Sequence, residues 1–152
     1  MESKELKAIT AFKSGYNCAQ SVVVAFAEGL GIEKNSALSI SVGFGGGMGR
    51  LQETCGAVTG AFMVLGMYNS LKHKENLALK NETYPMVQQF DARFKAIHQT
   101  TNCRALLHCD LRSEVGHNFA IENKLFEKVC EKCIADAVRI IDELTNETGI
   151  QQ

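Results

Sequence analysis

Six cysteines, Cys18, Cys55, Cys103, Cys109, Cys130 and Cys133, are the residues of this chain with the most distinctive chemistry. A thiolate is both a nucleophile and a soft metal ligand, so such a set suits thiol–disulfide exchange or metal binding. The N-terminus, MESKELKAITAFKS, has no apolar run of the secretory type, which points to a cytoplasmic chain whose thiols are kept reduced. A static disulfide framework is therefore not expected, and redox or metal chemistry comes forward. Cys55 follows Thr54, a residue suited to capping a helix. It is expected in a first turn, where free N–H groups and the positive end of the macrodipole favour thiolate. A separate grouping sets Cys103-x5-Cys109 beside Cys130-x2-Cys133, reminiscent of a four-thiolate metal site, with His108 and His117 as substitute ligands. That spacing is looser than a zinc knuckle's, and no βαβ pattern surrounds Cys130 and Cys133 to make them thioredoxin-like.

Glycine is the second signal. Five of the 13 glycines fall in Gly43-Phe44-Gly45-Gly46-Gly47-Met48-Gly49, a loop whose backbone conformations favour glycine. It does not spell G-x-G-x-x-G, no Gly-Lys pair follows, and no strand precedes it, so a phosphate cradle is set aside in favour of a tight turn serving Cys55. In Cys55-Gly56-Ala57-Val58-Thr59-Gly60, the glycines are four apart and flanked by Ala57 and Ala61. This ridge of small residues lets another backbone approach and could bring cysteines of two or three helices together. His73, in a polar stretch, and His98, near a helix end, read as solvated or helix-stabilising.

These residues need elements to position them. The 152 residues are 45% hydrophobic and 22% charged, with one proline and no tryptophan, which fits a single domain over 1–152 of the all-α class. The net charge of -1 supplies no field for nucleic acid. The longest mostly apolar stretch, Ala57 to Tyr68, is too short for a membrane span of roughly 20 residues. Apolar periodicity predicts helices over 3–13 (Leu6, Ala8, Ile9, Phe12), from Asn17 to Leu30 (Ala19, Val22, Val23, Phe26), and over 35–42. Further helices are predicted over 55–70, from Pro85 to about Gln99 (Val87, Phe90, Phe94, Ile97), and from Asn118 to Leu144. Lys72 to Thr83 reads as a connection and Cys103 to Arg112 as a short helical or irregular corner. The expectation is a bundle of about five to six helices, with the glycine-rich loop before the Cys-Gly-Ala-x-x-Gly helix. On the last helix Phe126, Cys130, Cys133, Ala137, Ile141 and Leu144 share a face.

Gly15-Tyr16-Asn17-Cys18-Ala19-Gln20, the glycine-rich loop and Cys55-Gly56-Ala57-Val58-Thr59-Gly60, in that order, resemble the C_GCAxxG_C_C family of small proteins proposed to be redox-active. The pattern continues with Cys103-Arg104-Ala105-Leu106 and with Cys130 on the last helix. The resemblance implies Cys18, Cys55, Cys103 and Cys130 as the functional set and leaves Cys109 and Cys133 as additions. The leading expectation is thiol–disulfide exchange with an unspecified redox partner, Cys55 acting as the activated thiolate. The alternatives are an iron–sulfur cluster or zinc held by the same four thiolates, and a non-enzymatic helical interaction protein. A homo-oligomer is compatible with each. If the family set is functional, the sulfurs of Cys18, Cys55 and Cys103 should cluster.

Overall fold

In the computed structural model, which describes residues 2–147, capped amphipathic segments account for most of the chain. Helix α1 (Lys4–Lys13) starts where Ser3 Oγ accepts the Leu6 N–H at 3.1 Å. Helix α2 (Cys18–Ala27) opens on a capping box in which Asn17 and Gln20 bond each other's backbone N–H, and a tight turn carries it on to Leu30. Glu33 caps α3 (Lys34–Ser41). There follow α4 (Gly56–Ser70), α5 (Asn76–His98), α6 (Cys103–Leu107) and α7 (Glu114–Glu122), then a π-helical turn (Phe126–Cys130) that leads into α8 (Glu131–Glu147). Among the described residues there is no strand beyond an isolated bridge between Thr54 and Asn102, and no helix is long and apolar enough to cross a membrane.

Among the described residues eight helices stand where five to six were expected, for local reasons. The predicted corner after Cys103 forms α6. The single helix expected from Asn118 to Leu144 is broken at Asn123 and Lys124, where Lys124 takes a φ of 53° and the chain restarts. Helix α5 begins nine residues before Pro85 and passes through it, because Pro85 lies on the exposed face. There the carbonyl it leaves unbonded can turn to water. The first turns of α5 carry no apolar stripe. They are held instead by Lys72–Glu82 (3.1 Å) and by Asn69 Nδ2 donating to Thr83 Oγ1 (3.1 Å). Two predicted stripe positions also face outward, Leu6 at 53% and Ile97 at 38% exposure.

Helix α2 packs chiefly on α4, α1 bridges α2 and α8, and α4 is flanked by α5 and α8. The ridge of small residues explains the first contact: a Cβ on Gly60 would stand 2.9 Å from the Ala19 carbonyl oxygen, and one on Gly56 3.1 Å from the Ala19 nitrogen. The main core joins Val22, Phe26, Val58, Leu65, Phe90, Phe94, Ile134 and Ile141, all fully buried. Each such side chain contributes about 1.5–3 kcal/mol of transfer free energy. A smaller cluster of Cys103, Leu107, Leu111 and Ala120 gathers Cys109, Phe126 and Cys130 at its edge, and Val129 packs against both clusters. The cysteines lie along the seam between them.

Candidate functional site

Three of the cysteines stand at helix starts. Cys18 is the first residue of α2, Cys55 is the N-cap of α4, and Cys103 is the first residue of α6. The last two are brought side by side by reciprocal backbone bonds: Cys55 N–H donates to Thr101 O (2.7 Å) and Cys103 N–H to Glu53 O (2.6 Å). Thr54 is thus not the cap of α4. It forms the bridge with Asn102, and Cys55 takes the cap position without a side-chain hydrogen bond to the helix. From the opposite side the π turn presents Cys130, and the first turn of α8 presents Cys133. Cys18, Cys55, Cys103, Cys130 and Cys133 all line one pocket of about 420 Å³. Cys109 does not line it.

The glycine-rich loop closes this pocket. Six of the seven residues 46–52 have positive φ, among them Met48, Arg50 and Gln52. Each of these three non-glycine residues costs about 1–2 kcal/mol in that conformation. The loop is tight because of its neighbours: a Cβ on Gly47 would meet the Cys103 Cβ at 2.6 Å, and one on Gly45 would run into the Asn17 side chain. Asn17 Nδ2 in turn donates to Val42 O (2.8 Å), tying the cap of α2 to the loop's entrance. The loop therefore serves Cys18 and Cys103 more directly than Cys55. Gln52, 4% exposed, reaches the other way: its Nε2 donates to Cys109 O and its Oε1 accepts the Leu111 N–H, both at 2.8 Å. Nothing in the sequence marks Gln52, since an isolated glutamine carries no motif.

The thiols differ sharply in acidity. The Cys130 S–H donates to the Cys18 sulfur, and against the opposing effect of burial this bond, with the N–H groups of Gly46 and of Cys18 itself, holds Cys18 below the ordinary thiol value. The same bond, with burial, pushes Cys130 up. Cys55 is driven well up because its proton is donated to Cys133, because it is 7% exposed, and because the Cys18 sulfur lies near. The helix N-terminus does act on Cys55 through the Ala57 N–H, but this is its weakest influence. Of the two thiols at helix starts, it is therefore Cys18 and not Cys55 whose surroundings favour the ionised form. Burial lifts Cys103 to about 11. Burial and then Asp110 raise Cys109.

All six cysteines are free. Among the described residues no three or more His, Cys, Asp or Glu side chains are grouped to hold one metal ion. The grouping of Cys103, Cys109, Cys130 and Cys133 is split, since Cys109 lies outside the pocket and exposed His108 with it, although His117 does line the wall. Cys133, expected as an addition on an apolar stripe, is inside the site at 1% exposure. His98 is neither solvated nor free: its Nε2 lies 2.9 Å from Asp136 Oδ2, and that carboxylate is also bonded by Arg139 at 2.8 Å.

Residues 16–144 match the family model described as "Putative redox-active protein (C_GCAxxG_C_C)". The chain belongs to this family. No curated protein and no solved structure matches it. The matched span holds every cysteine of this C_GCAxxG_C_C protein, together with the loop that closes the pocket.

Proposed function

We propose that this C_GCAxxG_C_C protein works as one cytoplasmic domain in thiol–disulfide exchange, with Cys18 as the attacking thiolate and Cys130 as the resolving thiol. One observation carries the reading: Cys18, half-buried at the pocket, is the thiol whose acidity is raised, and the thiol that bonds it belongs to Cys130. The Cys18 thiolate attacks one sulfur of a partner disulfide, forming a mixed disulfide and releasing one partner thiolate. Cys130 then attacks the Cys18 sulfur, forming the Cys18–Cys130 disulfide and releasing the second partner sulfur, while the Cys130 proton passes to a departing thiolate. The partner disulfide is reduced and the cysteine pair is oxidised. Cys55 and Cys103, held protonated beside the pair, add no second negative charge next to Cys18.

The test is anaerobic titration of the reduced protein with one equivalent of a small disulfide. Two protein thiols should be consumed per molecule, and Cys130→Ser should stop at a mixed disulfide on Cys18. Unchanged consumption by Cys18→Ser would overturn the reading. So would protein that purifies anaerobically with visible absorption and stoichiometric iron and sulfide, which would make these thiols cluster ligands instead.

A further inference from the structure

The pocket that holds Cys18 is unevenly furnished. Phe12, Leu107, Leu111 and Phe126 give it apolar walls. Its one permanently charged lining residue is Arg50, and no carboxylate lines it among the described residues. A volume of about 420 Å³ lies within the roughly 300–1,000 Å³ range of small-molecule sites. Arg50 belongs to the same loop that offers the Gly46 N–H to Cys18. Its backbone is in the left-handed region with φ of 63°, its N–H donates to Gly45 O at 3.3 Å, and its stem passes so close to Gly46 that a Cβ there would stand 2.9 Å from Arg50 Cγ. The side chain is exposed and, like that of Arg104 outside the pocket, forms no ion pair among the described residues, whereas Arg93, Arg112 and Arg139 each meet a carboxylate. A guanidinium held at an apolar pocket without an acidic partner is suited to bind a carboxylate through paired N–H donors.

We propose that the site's substrates are low-molecular-weight disulfides that carry a carboxylate beside an apolar group, with Arg50 binding the carboxylate while Cys18 attacks the disulfide. This rests on the exchange reading above. The apolar walls take the body of the molecule, and Arg50 orients it so that one sulfur faces Cys18. The electron count is that of the exchange itself: the substrate's S–S bond breaks, two substrate thiols are released, and the Cys18–Cys130 disulfide forms.

The experiment compares three disulfides on the reduced full chain: dithiobis(nitrobenzoate), aromatic and anionic; dithiodipyridine, aromatic and neutral; and cystamine, cationic. Each rate is divided by that of the same disulfide with free mercaptoethanol. The normalised rate for dithiobis(nitrobenzoate) should exceed that for dithiodipyridine about tenfold or more and fall with added salt, with cystamine slowest. Arg50→Gln should abolish the preference and Arg50→Lys should keep part of it, with a cooperative thermal melt like the parent's showing that each variant is folded. Equal normalised rates, or a preference untouched by Arg50→Gln, would overturn the proposal. If dithiodipyridine oxidises the Cys18–Cys130 pair without any anion preference, only the substrate class fails. If no disulfide oxidises that pair, the exchange reading itself falls.

Discussion

At the scale of single residues, two cysteines with similar sequence credentials end with opposite acidities. Both Cys18 and Cys55 stand at helix starts, and sequence favours Cys55 because glycine surrounds it. Burial and a proton donated to Cys133 outweigh the helix terminus there, whereas Cys18 receives a proton from Cys130 and an N–H from Gly46. The family resemblance named four of the cysteines that line the pocket and left out the fifth, Cys133. Which of them is favoured as thiolate was not readable at all, because that depends on partners distant in the chain, Cys130 for Cys18 and Cys133 for Cys55. Since the thiolate is the reactive form, iodoacetamide should label Cys18 fastest, with its rate half-maximal below pH 9.0. Cys103, lifted to about 11, should approach its limiting rate only when the pH passes that value. Rates resolved by peptide mass spectrometry over a pH series check this. Cys18→Ser should remove the fast phase, and Cys55→Ser should leave it.

Elements were readable where an apolar stripe drives them and obscure where side chains or strain replace the stripe. Helices α2 and α4 follow from their buried valines, phenylalanines and small residues. The first half of α5 does not, since it is held by polar contacts from Asn69 and Lys72. The broken C-terminal helix does not either, since a left-handed Lys124 leaves no trace in periodicity. The close approach of α2 and α4 gives a paired prediction. Gly60→Ala should cost about 1–3 kcal/mol by forcing the helices apart at Ala19. Gly66→Ala, whose Cβ would meet nothing within 4 Å, should stabilise α4 by about 0.5–1 kcal/mol. Urea unfolding of both variants decides it, and separation at Ala19 should also slow Cys18 labelling. The Gln52 amide is the other structural tie: Gln52→Ala should cost about 1–3 kcal/mol by leaving the Leu111 N–H unpaired, and should speed alkylation of Cys109.

Over the whole molecule, the site lies on a seam between a large core and a small cluster, and α8 spans from that seam to the far end of the bundle. Its Asp136 is fixed to the end of α5 through His98 and to Arg139 on its own helix. Burial works against the carboxylate, but Arg139, Lys132 and His98 prevail and hold it below its ordinary value of 3.8. A depressed carboxyl stabilises the fold above its unfolded value, so this contribution is complete at neutral pH and disappears as pH falls below about 3.8. Asp136→Asn should therefore be less stable than the parent at pH 7, with the difference shrinking in acid, as followed by thermal melts. The seam itself was beyond sequence reading: motif order names the four family cysteines, but Cys133, Arg50 and Gln52 join them only through folding.

If Cys18 and Cys130 are the working pair, a disulfide map after limiting oxidation will show their bond first. Reduced protein treated with less than one equivalent of dithiodipyridine, trapped in acid and digested, should yield the peptide pair joining Cys18 to Cys130 before any other. A first disulfide between Cys103 and Cys109, or between Cys55 and Cys133 with Cys18 still free, would contradict the account.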